Sequence, residues 1–160
     1  MKREPVRVLL IEDESSYAEL VRAVLADSPT SQFALTHQTA LERGLRQLTE
    51  NDFDLLLLDL TLPDATGLET YTRAHAASPA TPIVVLTGLD DQKIALQAVR
   101  EGAQDYLIKG QVDGKMLARV IQYAIERKAA AEALRESEEF FRLISENVSD
   151  LIAVLDPQGA

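Results

Sequence analysis

The chain has 160 residues, of which 46% are hydrophobic; it has no cysteine and a formal net charge of −10 at pH 7. Without cysteine there is neither a disulfide framework nor thiol chemistry, and so acidic a surface is a poor match for nucleic acid or an anionic membrane. No apolar run reaches the roughly 20 residues of a membrane span, and the charged N-terminus lacks the apolar segment of a signal peptide. These totals predict a cytoplasmic protein that binds neither nucleic acid nor membrane.

Short apolar runs alternate with amphipathic segments along the first three quarters of the chain. The runs cover residues 6–11, 33–37, 55–58, 83–86 and 106–108, and the second is the least apolar. Runs of this length between turn residues are typical of strands buried on both faces of a sheet. Regular alternation of strand and helix predicts an α/β fold, a doubly wound five-stranded parallel sheet with helices on both faces.

Three of the predicted helices begin with Ser or Thr followed three residues later by Glu, which is the pattern of a capping box. The pairs are Ser16 with Glu19, Thr39 with Glu42, and Thr66 with Glu69. Asp90 or Asp91 is predicted to cap the fourth helix, which ends at Gly102. Asp113 is predicted to open the fifth.

The fifth helix is predicted to extend well beyond the sheet. Residues 122–147 contain neither Gly nor Pro and are rich in strong helix formers. A seven-residue repeat is visible at Ala124, Ala131, Leu134, Phe141 and Val148, with interruptions at Arg127, Glu138 and Ser145. The repeat favours a coiled-coil homodimer, and a solvated single helix acting as a spacer is the alternative.

The last residues are predicted to form a lone strand. Residues 150–156 are apolar between two acids, and Gly159 is typical of a hairpin turn. Since one strand without a sheet cannot bury its faces, we expect a fragment cut just inside a second domain. The expected organisation is a domain over 1–127, a helical linker over 128–147 and a truncated domain start over 148–160.

Polar side chains follow four of the five predicted strands. Glu12 and Asp13 follow the first strand, Asp59 the third, Thr87 the fourth and Lys109 the fifth. Because the carboxyl ends of parallel strands share one edge, we expect these side chains to meet in one crevice. Clustered carboxylates raise one another's pKa unless a cation neutralises them, and oxygen ligands without His or Cys favour Mg²⁺.

A carboxylate beside Mg²⁺, an ammonium and a hydroxyl is suited to phosphoryl transfer, with the carboxylate as nucleophile. One alternative is a Mg²⁺-dependent aspartyl-phosphate phosphatase. Such enzymes usually carry a second acid two residues after the nucleophile, where this chain has Thr61. The other alternative is an interaction module that never meets phosphate. His37 and His75 have no partner at ligand spacing and are interpreted as structural.

Over residues 6–125 the chain resembles the receiver domain of two-component response regulators. The motifs that carry the resemblance are Ile11-Glu-Asp13-Glu, Leu58-Asp59-Leu-Thr-Leu-Pro63, Gly67, Leu86-Thr87-Gly88 and Tyr106-Leu-Ile-Lys109. The resemblance implies a flavodoxin-like sheet of strand order 2-1-3-4-5, here with an extended C-terminal helix. It also implies a signalling switch rather than a turnover enzyme.

The same resemblance implies roles for single residues. Asp59 would accept a phosphoryl group from a phosphohistidine on a sensor histidine kinase or histidine phosphotransfer protein. Asp13, Asp59 and the backbone carbonyl of Thr61 would bind Mg²⁺, with Glu12 acting mainly through water. Lys109 would pair with the phosphoryl oxygens.

The resemblance further implies a switch formed by Thr87 and Tyr106. Thr87 would move on phosphorylation and Tyr106 would turn inward, altering the face of the fourth helix, fifth strand and fifth helix. A homodimer is expected through that face or through the helical linker. The family usually has Pro after the lysine, often with a cis bond, whereas this chain has Gly110, where a cis bond is not assumed because it costs about 2.5–4 kcal/mol before a residue other than proline. Residues 134–152 resemble, over a shorter stretch, the lead-in helix and first strand of PAS sensor domains.

Overall fold

The computed structural model describes the backbone of residues 4–155 and the side chains of residues 4–148. The strands are β1 (Val6–Ile11), β2 (Phe33–Gln38), β3 (Leu55–Asp59), β4 (Ile83–Thr87) and β5 (Asp105–Ile108). They form one parallel sheet in the order β2-β1-β3-β4-β5. The predicted doubly wound sheet and its strand order are confirmed.

Helices cover both faces of this sheet. They are α1 (Ser15–Ala26), α2 (Leu41–Glu50), α3 (Leu68–Ala77), α4 (Gln92–Arg100) and α5 (Gly114–Leu155). Residues of α1 and α5 pack into one apolar cluster, and residues of α2, α3 and α4 pack into the other. The sheet is therefore the middle layer of three.

The run of four leucines in β3 shows why the sequence specifies this layering. Leu55 and Leu57 belong to the cluster under α1 and α5, whereas Leu56 and Leu58 belong to the opposite cluster. Successive side chains of a strand point to opposite faces, so a strand covered on both sides must be apolar throughout. All four leucines are fully buried. The run ends at the first residue that is not apolar, Asp59.

Helix α2 packs closely against the carboxyl end of β1. A methyl group at Gly44 would overlap the side chain of Ile11, which is fully buried. Glycine at this position therefore lets the helix axis come near the strand. Ile11 is the last residue of β1, so the contact also positions the residues that follow it.

The three predicted capping boxes are wrong. The residues that precede α1, α2 and α3 are Glu14, Ala40 and Gly67, and none of them makes a side-chain cap hydrogen bond. Asp91 precedes α4, also without such a bond. The prediction at α5 is confirmed, because the N–H of Met116 donates to Oδ1 of Asp113 over 2.8 Å.

A distant carboxylate, Asp64, caps α2 in place of the predicted local one. The N–H groups of Leu41 and Glu42 donate to its two carboxylate oxygens, each over 2.9 Å. Burial alone would raise the pKa of Asp64, but these hydrogen bonds lower it below its ordinary value. Because Asp64 lies five residues after Asp59, the contact ties the start of α2 to the loop that follows β3.

Helix α5 continues without a break to Leu155. The strand predicted over residues 150–156 is therefore wrong for residues 150–155, and residue 156 and the predicted turn at Gly159 lie outside the described residues. A helix satisfies its own backbone hydrogen bonds, which a lone strand cannot do. The chain divides into Met1–Lys128 and Ala129–Ala160, called unit 1 and unit 2 below. Within the described residues, no helix has the length and apolarity that crossing a bilayer requires.

Replacing Asp64 with Asn should lower the free energy of unfolding by about 1 kcal/mol at pH 7, since a neutral amide accepts less well from two N–H groups. The pKa of Asp64 is depressed in the folded chain, so its contribution is present above the unfolded pKa and lost as pH falls through the folded one. The difference from wild type should shrink below about pH 4. Urea unfolding at several pH values measures it.

Asp52→Asn is the matched control, because Asp52 is also an exposed aspartate outside the helices. It should change stability little at any of these pH values. Equal losses in the two variants would contradict the capping role of Asp64.

Candidate functional site

The register of the sheet brings four strand ends to one edge. Ile11 pairs with Leu58, Asp59 with Leu86, and Thr87 with Ile108. The residues that follow β1 and β5 therefore lie beside the ends of β3 and β4. The predicted candidates Glu12, Asp13, Asp59, Thr87 and Lys109 all lie at this edge.

Lys109 joins two buried carboxylates. Its Nζ lies 2.9 Å from Oδ2 of Asp59 and 2.6 Å from Oε2 of Glu12. The contact with Asp59 is a hydrogen bond, whereas Oε2 of Glu12 meets the ammonium outside hydrogen-bond geometry. The side chains of Glu12 and Asp59 are 0% and 6% exposed, so a neighbouring positive charge is needed to offset their desolvation. Glu12 was expected to act mainly through water, and its direct contact with Lys109 was not foreseen.

Three carboxylates at this edge form a cluster that fits a metal ion. One oxygen each from Glu12, Asp13 and Asp59 lies within 4.8 Å of the others. Glu12 and Asp59 are buried and Asp13 is exposed, which leaves the cluster open on one side. One ammonium cannot neutralise three carboxylates, and an all-oxygen donor set fits a hard divalent cation such as Mg²⁺.

The pKa values at this edge follow from burial and charge. Burial raises the pKa of Glu12 to about 7; the ammonium of Lys109 opposes that rise and the carboxylate of Asp59 adds to it. Burial alone would lower the pKa of Lys109, but its contacts with Glu12 and Asp59 raise it above its ordinary value. Lys109 therefore remains charged at pH 7.

Backbone groups hold the two buried carboxylates in place. Oδ1 of Asp59 accepts from the N–H of Thr61 over 2.9 Å, and Oε1 of Glu12 accepts from the N–H of Glu14 over 3.1 Å. Nε2 of His37 lies 2.7 Å from the carbonyl oxygen of Glu12, which accounts for His37 as a structural residue. These hydrogen bonds within the protein therefore orient the carboxylates of Asp59 and Glu12.

Thr87 is buried, whereas Tyr106 is only half-buried. Thr87 is 2% exposed, and its Oγ1 donates to the carbonyl oxygen of Gly88 over 3.1 Å. Tyr106 is half-buried and packs against the cluster under α2, α3 and α4. The bond before Gly110 is trans, and Gly110 has a φ of +86°, which glycine adopts without strain.

Tyr17 is a site residue that the sequence analysis missed. Nζ of Lys109 lies 5.0 Å from the centroid of its ring, which is within cation–π range. The sequence predicts only that Tyr17 belongs to the apolar stripe of the first helix. No local pattern signals this contact, because Lys109 lies far from Tyr17 along the chain.

Comparison with known proteins identifies this arrangement. The family model described as the response regulator receiver domain matches residues 8–122. The chain belongs to the response regulator receiver domain family. The family expected from the sequence motifs is confirmed.

Similar proteins agree with this assignment. The chain is 33% identical to the cell cycle transcriptional regulator CtrA of Caulobacter vibrioides over 129 residues, covering 80% of this chain and 53% of that protein. It is 36% identical to the transcriptional regulatory protein DltR of Streptococcus agalactiae, covering 72% and 50%. A crystal structure of a receiver domain protein from Clostridium thermocellum matches with a TM-score of 0.69 and 28% identity, covering 79% of this chain and 98% of that one.

The chain spans about half the length of the curated relatives it matches. Because those relatives are named as transcriptional regulators, the comparisons do not support the exclusion of nucleic acid that we inferred from net charge. They also give no support to a PAS-like domain after the receiver domain.

Replacing Lys109 with Met should lower the free energy of unfolding by roughly 2 kcal/mol in metal-free buffer at pH 7. The loss follows because two buried carboxylates lose their countercharge. Proton uptake by Glu12 and the partial exposure of Lys109 keep the loss below that of a fully buried pair. Chemical denaturation measures the change.

The exposed Lys93 provides a matched control, and Lys93→Met should be close to neutral. Adding Asp59→Asn to Lys109→Met should recover part of the loss, because one unpaired charge is removed. If Lys109→Met were as stable as Lys93→Met, the ion pairs would not stabilise this edge.

Proposed function

We propose that this chain is a cytoplasmic phosphorylation-controlled switch in which Asp59 is the phosphoacceptor. The donor is a phosphohistidine on a sensor histidine kinase or a histidine phosphotransfer protein. The observation that carries the proposal is the buried Asp59 carboxylate, with one oxygen held by the N–H of Thr61 and the other by Lys109. Membership of the receiver domain family supports the same reaction.

The proposed reaction is an in-line transfer between two nucleophiles. A carboxylate oxygen of Asp59 forms a bond to phosphorus while the phosphorus–nitrogen bond to the donor imidazole breaks. The bonding pair stays on the imidazole nitrogen, and Asp59 becomes an acyl phosphate. Lys109 then lies where it can neutralise charge on the phosphoryl oxygens, because it already contacts the acceptor carboxylate.

Mg²⁺ is the proposed cofactor. Asp13, Asp59 and the backbone carbonyl of Thr61 would hold it, with Glu12 contributing mainly through water. The clustered oxygens of three carboxylates support this assignment. When bound, the ion neutralises negative charge on the acceptor and the incoming phosphoryl group. Lys109, paired with both Glu12 and Asp59, offsets only part of that charge.

The phosphatase alternative is not favoured. Thr61, two residues after the proposed nucleophile, offers Asp59 a backbone N–H and carries no acid to protonate a leaving group. The site therefore has the groups for accepting a phosphoryl group but lacks the second acid that the alternative requires at this position. Asp59 with Lys109 fits a switch better than a turnover enzyme.

Thr87 and Tyr106 are the proposed switch residues. Thr87 is buried at the end of β4 and its hydroxyl now donates to its neighbour Gly88, so a phosphoryl group on Asp59 would offer it a stronger, charged acceptor. Tyr106 is half-buried and is the residue of β5 that would move with it. This change would alter the face formed by α4, β5 and α5.

Incubation of the chain with acetyl phosphate and Mg²⁺ should add the mass of one phosphoryl group, as read by intact-mass spectrometry. Asp59→Asn should remove the adduct, because an amide is not a nucleophile of this kind. Chelating the divalent cation or replacing Asp13 with Asn should slow labelling strongly. Asp90→Asn, which changes an exposed aspartate after β4, should label as the wild type does. Full labelling of Asp59→Asn would contradict the assignment.

Beryllofluoride, a mimic of the phosphoryl group, should change amide hydrogen exchange in α4 and β5. Thr87→Ala should still be labelled by acetyl phosphate but lose this exchange response, since the hydroxyl that reports phosphorylation is absent. Thr72→Ala, which removes an exposed hydroxyl in α3, is the control and should respond normally. A normal response in Thr87→Ala would show that Thr87 does not transmit the change.

A further inference from the structure

The ammonium of Lys109 meets an aromatic ring as well as the two buried carboxylates. Its Nζ lies 5.0 Å from the centroid of the Tyr17 ring, and 2.9 Å and 2.6 Å from oxygens of Asp59 and Glu12. The face of an aromatic ring attracts a cation at this range. All four residues belong to unit 1. The proposed function uses the two carboxylates and leaves the ring without a role.

Tyr17 offers the ammonium a neutral ring rather than a charged group. Burial raises the pKa of the Tyr17 hydroxyl above its ordinary value, although the charge of Lys109 opposes the rise. The hydroxyl therefore stays protonated at pH 7, and the attraction comes from the face of the ring. Tyr17 thus attracts the ammonium without adding a negative charge to the edge that already holds three carboxylates.

The Tyr17 ring is supported by the sheet core and not by Lys109. Tyr17 lies in the first turn of α1, is half-buried, and packs against the apolar cluster that includes Ala18 and Val21. A side chain carried by a packed helix has few alternative positions. The ring is therefore a fixed surface against which the ammonium can be placed.

Lys109 has less support of its own. Its N–H donates to the carbonyl oxygen of Thr87 over 2.9 Å, which anchors the backbone at the end of β5. The next residue, Gly110, stands in open space, since a methyl group added there would meet no atom within 4 Å. A lysine side chain is long and flexible. The groups that touch the ammonium must therefore determine where it lies.

The Lys109 side chain is only 21% exposed although it ends in a charge. A poorly hydrated ammonium interacts more strongly with charge that develops on a phosphoryl group than a hydrated one does, because the local dielectric constant is lower. An apolar ring beside the ammonium takes the place of water on that side. The Tyr17 ring can therefore both place the ammonium and strengthen its effect.

We propose that Tyr17 is a positioning residue for phosphoryl transfer to Asp59, acting through Lys109. The inference rests on the proposed function, since Asp59 must be the acceptor. As an Asp59 oxygen bonds to phosphorus it gives up its negative charge, which leaves Glu12 as the charged protein partner of the ammonium. The ring face attracts the ammonium without demanding one direction. Lys109 can then follow the charge onto the phosphoryl oxygens and stay poorly hydrated.

The initial rate of labelling by acetyl phosphate and Mg²⁺ tests this role. Tyr17→Leu keeps apolar bulk but removes the ring, and should slow labelling about two- to fivefold, as expected for a cation–π contact of about 0.5–1 kcal/mol. Tyr17→Phe keeps the ring and should restore the rate to near that of the wild type. Tyr123→Leu is the matched control, because Tyr123 is 54% exposed on α5, and it should label normally.

Two results of this experiment would overturn the inference alone. One is a wild-type rate in Tyr17→Leu, and the other is equal slowing in Tyr17→Leu and Tyr17→Phe. Failure of the wild type to become labelled would instead overturn the proposed function, and this inference with it.

Nuclear magnetic resonance tests the contact itself, without a phosphoryl donor. The ring current of Tyr17 should move the side-chain CH₂ protons next to the Lys109 ammonium upfield of those of exposed Lys93. The upfield shift should persist in Tyr17→Phe and disappear in Tyr17→Leu. Ordinary shifts for Lys109 in the wild type would contradict the contact and overturn the inference.

Chemical denaturation shows whether Tyr17 acts through Lys109. Tyr17→Leu and Lys109→Met should each lower the free energy of unfolding, and the double variant should lose less than the sum of the two losses. The sum counts their shared contact twice, whereas the double variant loses it once. Strictly additive losses would show that the two side chains are energetically independent, which would overturn the inference.

Discussion

The contacts of Lys109 with Asp59 and Glu12 are the interaction on which the site depends. Two carboxylates with almost no exposed surface would ordinarily be too costly to ionise together. The ammonium offsets the cost of their burial and at the same time holds the carboxylate of Asp59, the proposed phosphoacceptor, in place. Burial raises the pKa of Glu12 to about 7 although Lys109 opposes the rise. The physical basis for proposing a divalent cation at the same edge is the cluster of three carboxylates beside a single ammonium.

Glu12, Asp59 and Lys109 lie together because they stand at the carboxyl ends of parallel strands, and the central strands are held in the sheet by apolar side chains on both faces. Leu55 to Leu58 alternate between the two clusters, and Asp59 is where the alternation stops. Contacts made by helix α2 also hold the residues at this edge of the sheet in position. Gly44 lets α2 approach Ile11, and Asp64 binds the first N–H groups of α2 from the loop after Asp59. The proposed phosphoacceptor loop and the second helix therefore constrain each other.

The strands and the convergence of Asp59 with Lys109 could be predicted from the sequence, because two-sided burial and strand-end polarity are local patterns. The strand order was implied only by the resemblance to receiver domains. Features set by distant residues could not. The capping boxes failed since the cap of α2 comes from Asp64, which no pattern near Leu41 reveals. Tyr17 was assigned only to an apolar stripe because its contact with Lys109 joins α1 to the residue after β5, which is distant in the sequence. The predicted strand over 150–156 failed since short apolar runs are ambiguous between strand and helix.

The heptad phase of α5 failed for a more general reason. A long helix that serves a sheet core and a second helix carries two overlapping apolar patterns, and the sequence does not say which residues belong to which. Ala124 fits either pattern until its complete burial assigns it to the core. The large apolar side chains of α5 that remain exposed, Phe140 and Leu143 among them, do not fall into a single heptad phase. The burial that stabilises the receiver unit thus removes Ala124 from the predicted repeat, and sequence spacing alone does not reveal this.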